Sequence, residues 1–137
     1  MDWTQGKYTL SDDPHRVDVA RTHALLERTY WGVRRPLDVV ERMIKQSMPI
    51  VLLCEHEQVG FARAVSDYTV FTWVADLVIE EAHRGQGLEH WMMTFIVQHP
   101  ALRGTQFVVQ TRDAHALYER YGFGRNEALM STRVGGL

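Results

Sequence analysis

Asp76-Leu77-Val78-Ile79-Glu80-Glu81-Ala82-His83-Arg84-Gly85-Gln86-Gly87-Leu88-Glu89-His90-Trp91-Met92 is the stretch on which the fold turns. Its first four residues read as a short strand, followed by a polar turn. Arg84-Gly85-Gln86-Gly87 then leads into an amphipathic helix, with Leu88, Trp91, Met92 and Phe95 at helical spacing. A strand that feeds a Gly-rich turn at a helix N-terminus can bind phosphate. The glycines let backbone N–H groups approach an anion, and the first helical turn adds unpaired donors and its dipole. The plainer alternative is a strand–helix connection with two convenient glycines.

Two familiar Gly-rich loops are excluded. No Lys-Ser/Thr follows Gly87, so this is not the P-loop of nucleotide hydrolases. The dinucleotide fingerprint needs a third glycine where His90 stands. The loop resembles the acetyl-CoA loop of the GNAT superfamily of N-acetyltransferases, Arg/Gln-x-x-Gly-x-Gly/Ala after a strand. Arg84, Gly87 and the preceding Leu77-Val78-Ile79 match, whereas Glu89 stands where the family has Gly or Ala.

A chain of 137 residues predicts one domain, 1–137, with enough length for a real core. A content of 45% hydrophobic residues and a net charge of −2 argue neither for a nucleic-acid surface nor for a disordered acidic tail. Cys54 is the only cysteine and lies in an apolar run, so a buried inert thiol is expected. No signal peptide and no membrane-length apolar run are visible, which predicts a cytoplasmic protein without a membrane partner.

Along the chain, Lys7–Leu10 reads as a first strand. A helix starts with Asp13 as N-cap and Pro14 in its first position, and runs to about Tyr30 with Val17, Ala20 and Ala24 on one face. Pro36 opens a second helix with Leu37, Val40 and Ile44 inward. Strands follow at Ile50–Glu55 and Val59–Val65, joined as a hairpin, and then at Thr69–Ile79. The Gly-loop helix covers Leu88–Gln98, and Thr105–Thr111 is a strand. Asp113 caps a helix over Ala114–Tyr121, and Ala128–Val134 is a final strand. This order suits a mixed α/β (α+β) fold: a central mixed, mostly antiparallel sheet with helices on both faces. It is also the GNAT order.

A second motif, Asp113-Ala114-His115-Ala116-Leu117-Tyr118-Glu119-Arg120-Tyr121-Gly122-Phe123, resembles in outline the late segment of the same superfamily. In that comparison Tyr118 falls on the tyrosine that serves as general acid, a role a phenol suits because it can protonate a thiolate. The alternative is that Tyr118 and Tyr121 are packing residues.

The resemblance implies that acetyl-CoA is the co-substrate, with no metal. It lies where the Thr69–Ile79 and Thr105–Thr111 strands splay apart. Backbone groups of Leu77 and Ile79 pair with the pantetheine arm, Val78 between them also counts as cofactor-binding, and the Leu77 N–H polarises the thioester. The amides from Gly85 through Gln86, Gly87 and Leu88 to Glu89 hold the pyrophosphate, Arg84 adds charge to the phosphate site, and Asp113 also counts as cofactor-binding. Arg84 as a solvated surface residue stays open.

No general base is evident. The family's positions for one hold Trp73 and Ala75, and Asp76 is one residue out of phase, so strand alternation aims it at the other face. Asp67 reads as a turn cap or an acceptor-site residue. A water relay or an already neutral amine makes a base unnecessary. The resemblance implies that the acceptor, a small-molecule or peptide amine, binds between the first two helices and the sheet, near Tyr30, Trp31, Arg34 and Arg35. Their aromatic and basic groups suit a planar or carboxylated amine; a helix–helix corner with Trp31 packed into the core is the alternative. No basic stripe marks a nucleic-acid partner, and a homodimer is left open. A second function also stays open: a degenerate GNAT-fold protein that binds without catalysis, because a carboxylate at Glu89 repels phosphate.

Overall fold

The run Ile50-Val51-Leu52-Leu53 is continuously apolar because the strand it forms is covered on both faces. The computed structural model describes residues 1–132. Strands β1 (Asp2–Gln5), β2 (Tyr8–Ser11), β3 (Met48–Cys54), β4 (Glu57–Ser66), β5 (Phe71–Ile79) and β6 (Gln106–Val109) form one sheet in sequence order. Neighbours are antiparallel except β5 and β6, which are parallel. Helices α1 (Val19–Glu27) and α2 (Leu37–Lys45) cover one face, and α3 (Leu88–Val97) covers the other. The short α4 (His115–Glu119) follows β6.

Alternation along β3 assigns each side chain to a layer. Ile50 and Leu52 meet Met92, Phe95 and Ile96 of α3, whereas Val51 and Leu53 join Leu25, Leu26, Val40 and Ile44 of the first two helices. The parallel pairing of β5 with β6 needs a crossover, which α3 supplies.

Several expectations are corrected. The first helix is two pieces. Asp13 caps only a short 3-10 turn at Pro14–Arg16, and Asp18 starts α1 by accepting from the Arg21 N–H. Ala20 and Ala24 are exposed. A buried hydrogen bond from Gln58 Nε2 to Thr22 Oγ1 turns Thr22, Leu25 and Leu26 inward instead. Leu37 is exposed. The strand β1 went unread because its sequence is polar, and only Trp3 packs inward, edge-on to Phe95 at 5.0 Å. Residues 128–132 form no strand, and the remainder of the expected Ala128–Val134 strand lies outside the described residues.

Candidate active site

β5 and β6 pair over four residues, from Phe71 with Gln106 to Val74 with Val109, and then separate. At the separation β5 carries a bulge against β4: Arg63 pairs with Ala75 and Phe61 with Val78, and Asp76 adopts φ 60°. Beyond the bulge the Glu80 N–H donates to Val59 O at 2.8 Å, so Glu80 and Val78 direct their backbone groups toward β4. Leu77 and Ile79 therefore present theirs to the open edge. The Ile79 carbonyl accepts from Arg84 Nε at 2.9 Å, which makes Arg84 a latch of the loop.

The Gly-rich loop is tied down from below. Gln86 Nε2 reaches Tyr8 Oη and the His83 carbonyl, and Tyr8 Oη lies 2.7 Å from His83 Nδ1. Gly85 and Gly87 adopt φ 79° and 77°, a region costly for any residue with a Cβ. Gly87 is the N-cap of α3, so no side chain caps the amides of the first turn, and the space beside both glycines is open. Uncapped donors at a helix start suit an anion such as a phosphate. Gly87→Val is expected to weaken acetyl-CoA binding by at least tenfold, because the N-cap must leave its backbone angle. Calorimetry checks this, with circular dichroism confirming the fold; unaltered affinity would reduce the loop to a connecting turn.

Tyr118 on α4 stands across from that turn. Its phenol is pushed up to about 12, first by burial and then by the negative charge of Glu89, with Tyr30 and Asp113 adding to it. The hydroxyl has no hydrogen-bond partner among the described residues, and the ring packs edge-on against Phe123 at 5.8 Å. Asp113 does not cap α4: Ala114 is the N-cap residue, and Thr111 Oγ1 accepts the Ala114 N–H, which delays and shortens the helix. Tyr121 lies past its end and donates to the His90 carbonyl at 2.6 Å, pinning this segment to the first turn of α3. A cavity of about 920 Å³ runs along β6 and α4 and reaches Tyr118 without including the Gly-rich loop.

The exposed Glu89 raises the phenol by its charge, so its carboxylate acts on the Tyr118 side of α3. Glu89→Gly is expected to bind acetyl-CoA about fivefold more tightly at low salt, with the gain shrinking as salt rises. Titration at two ionic strengths measures this, and unchanged or weaker binding would mean that the side chain swings clear of the phosphates.

On the face of α1 and α2, Asp76 requires a correction. The bulge interrupts strand alternation, so its side chain points to the same face as Arg63, not the opposite one. It is fully buried and accepts from Trp31 Nε1 (2.9 Å), Arg35 Nη1 (2.8 Å) and Arg63 Nε (2.6 Å). Arg63 also lies 5.8 Å from the Trp73 ring centre. Tyr30 packs edge-on against Trp31 and carries the Arg112 guanidinium over its ring at 3.7 Å. Arg34 is exposed. Asp67 lies apart, in the β4–β5 turn. Its carboxylate accepts from the amides of Thr69, Val70 and Phe71, which hold it down to about 2. Arg63 and Arg112 were not read from the sequence, although a charge inside the apolar Val59–Val65 run was a usable signal for Arg63.

Among the described residues no group of His, Cys, Asp and Glu is arranged to hold a metal, and no helix is long and apolar enough to cross a membrane. The family model described as an acetyltransferase (GNAT) domain matches residues 46–125. The chain belongs to this family. A crystal structure from Xanthomonas campestris pv. campestris, of a protein assigned to the GNAT family, superposes with a TM-score of 0.89 at 36% identity, covering 95% of each chain. A Gibberella zeae protein assigned as an acetyltransferase is 27% identical over 76% of this chain and 69% of its own length. A structure with acetyl-CoA, of a predicted acetyltransferase from Clostridium acetobutylicum, shares the fold at a TM-score of 0.68 and 13% identity, covering 92% of this chain and 94% of that one.

Proposed function

We propose that this GNAT protein is an acetyl-CoA-dependent N-acetyltransferase that acetylates an amine by direct attack. One observation carries the reading: the charge of Glu89, in the uncapped first turn of α3, raises the Tyr118 phenol. An anion-binding helix start and a protonated hydroxyl without a partner among the described residues therefore lie near each other. Acetyl-CoA, when bound, would supply the acetyl group as a thioester. The amides from Gly85 to Glu89 hold its pyrophosphate. The Leu77 N–H polarises the carbonyl as charge develops there, and Tyr118 delivers its proton to the departing sulfur. Asp76 is not the base, because all its hydrogen bonds go to two guanidiniums and an indole. The amine therefore arrives neutral and releases its proton to solvent.

A thermal-shift series with acetyl-CoA and CoA tests binding. Ligand at a hundred times its dissociation constant adds about 2.7 kcal/mol. An amine panel with thiol-release detection then tests catalysis. Binding without thiol release for any amine would favour the second reading, a non-catalytic ligand-binding protein, for which the acidic Glu89 beside the site is the motivating feature.

A further inference from the structure

We infer that the buried cluster of Arg35, Arg63 and Asp76 is the acceptor's anion site, and that the acceptor is an amine bearing a carboxylate, of the amino-acid class. This rests on the acyl-transfer cleft proposed above. Two guanidiniums face one carboxylate, and no second acidic group bonds to either among the described residues. The cluster thus retains one positive charge in a nearly closed setting, with side-chain exposures of 18% for Arg35, 12% for Arg63 and 0% for Asp76. Unbalanced charge at that depth is costly unless a ligand or water answers it.

Arg63 shows where the answer comes from. It bonds Asp76 through Nε alone, so both Nη groups lack a protein partner among the described residues. No buried side-chain nitrogen or oxygen there is left unsatisfied, so those groups reach an opening. A guanidinium fixed at one edge and open at the other matches a carboxylate in fork geometry. Register sets Arg63 near the proposed cleft: it pairs with Ala75, the residue after β5's last contact with β6, two positions before Leu77. Trp73 under Arg63 and Trp31 on Asp76 wall the site with aromatic surface.

The test is a titration of intrinsic tryptophan fluorescence, which Trp31 and Trp73 should report, using matched probes with CoA present and absent. L-Phenylalanine is compared with phenethylamine, and L-lysine with cadaverine. The carboxylated member of each pair should bind at least tenfold more tightly, and Arg63→Met should reduce that preference to under twofold. Arg63→Lys, which keeps a charge but not the fork, should retain only part of it. Circular dichroism checks the variants; should R63M not fold, the wild-type pairs and R63K decide. Equal affinity within the wild-type pairs, or a preference untouched in a folded variant, overturns the assignment. The titration needs no turnover, so a carboxylate preference without acetyl-CoA binding would sink the enzymatic reading and keep the anion site. Acetyl-CoA binding without the preference would do the reverse.

Discussion

Asp76→Ala should lower the unfolding free energy by about 3–5 kcal/mol, the range for removing one partner of a buried ion pair. The carboxylate is fully buried, and its loss leaves two adjacent guanidiniums and an indole N–H without their acceptor. The backbone adds to this cost. At φ 60° aspartate is tolerated better than alanine, because its short polar chain suits that region. Asp76→Asn keeps the shape, that tolerance and one acceptor oxygen, so it should lose less. Denaturant unfolding with fitted m-values measures both. A loss under about 1 kcal/mol for the alanine variant would mean that water already satisfies the arginines.

That residue also marks the boundary of what the sequence discloses. Reading Asp76 as pointing away from the acceptor face assumed an uninterrupted strand. The bulge that reverses it depends on how β4 registers against β5, which pairs residues distant in sequence. Arg63 was missed for the same reason, since its partner comes from another strand. The Gly-rich loop was legible because its demands are local: positive φ at Gly85 and Gly87, then apolar residues at helical spacing. The Met48–Ser66 hairpin was legible too, because both strands lie in the buried middle of the sheet. α1 shows the intermediate case. Asp18 was a visible cap signal, but the choice of its inward face rests on Gln58, which is distant in sequence.

Tyr118→Phe is expected to leave acetyl-CoA affinity nearly unchanged and to lower kcat by roughly ten- to a thousandfold, below full general-acid loss because water substitutes in part. The hydroxyl makes no hydrogen bond within the described protein, so its removal disturbs no structural contact, and the ring keeps its packing on Phe123. Its raised value of about 12 fixes the sign of two pH effects. In the wild type the phenol stays protonated through neutral and mildly alkaline pH. The kcat profile should therefore rise as the amine loses its proton and show no descending limb near pH 10, where an ordinary tyrosine would produce one. Stability behaves correspondingly. The folded state holds this proton more tightly than the unfolded chain, so the contribution is full below pH 10 and falls as pH rises toward 12. The phenylalanine variant should lack that alkaline loss. Stopped-flow thiol release with chemistry limiting, together with melting curves across pH 9 to 12, separates the two roles. An unchanged kcat in the variant would remove Tyr118 from the chemistry and leave it a packing residue whose only signature is the alkaline melt.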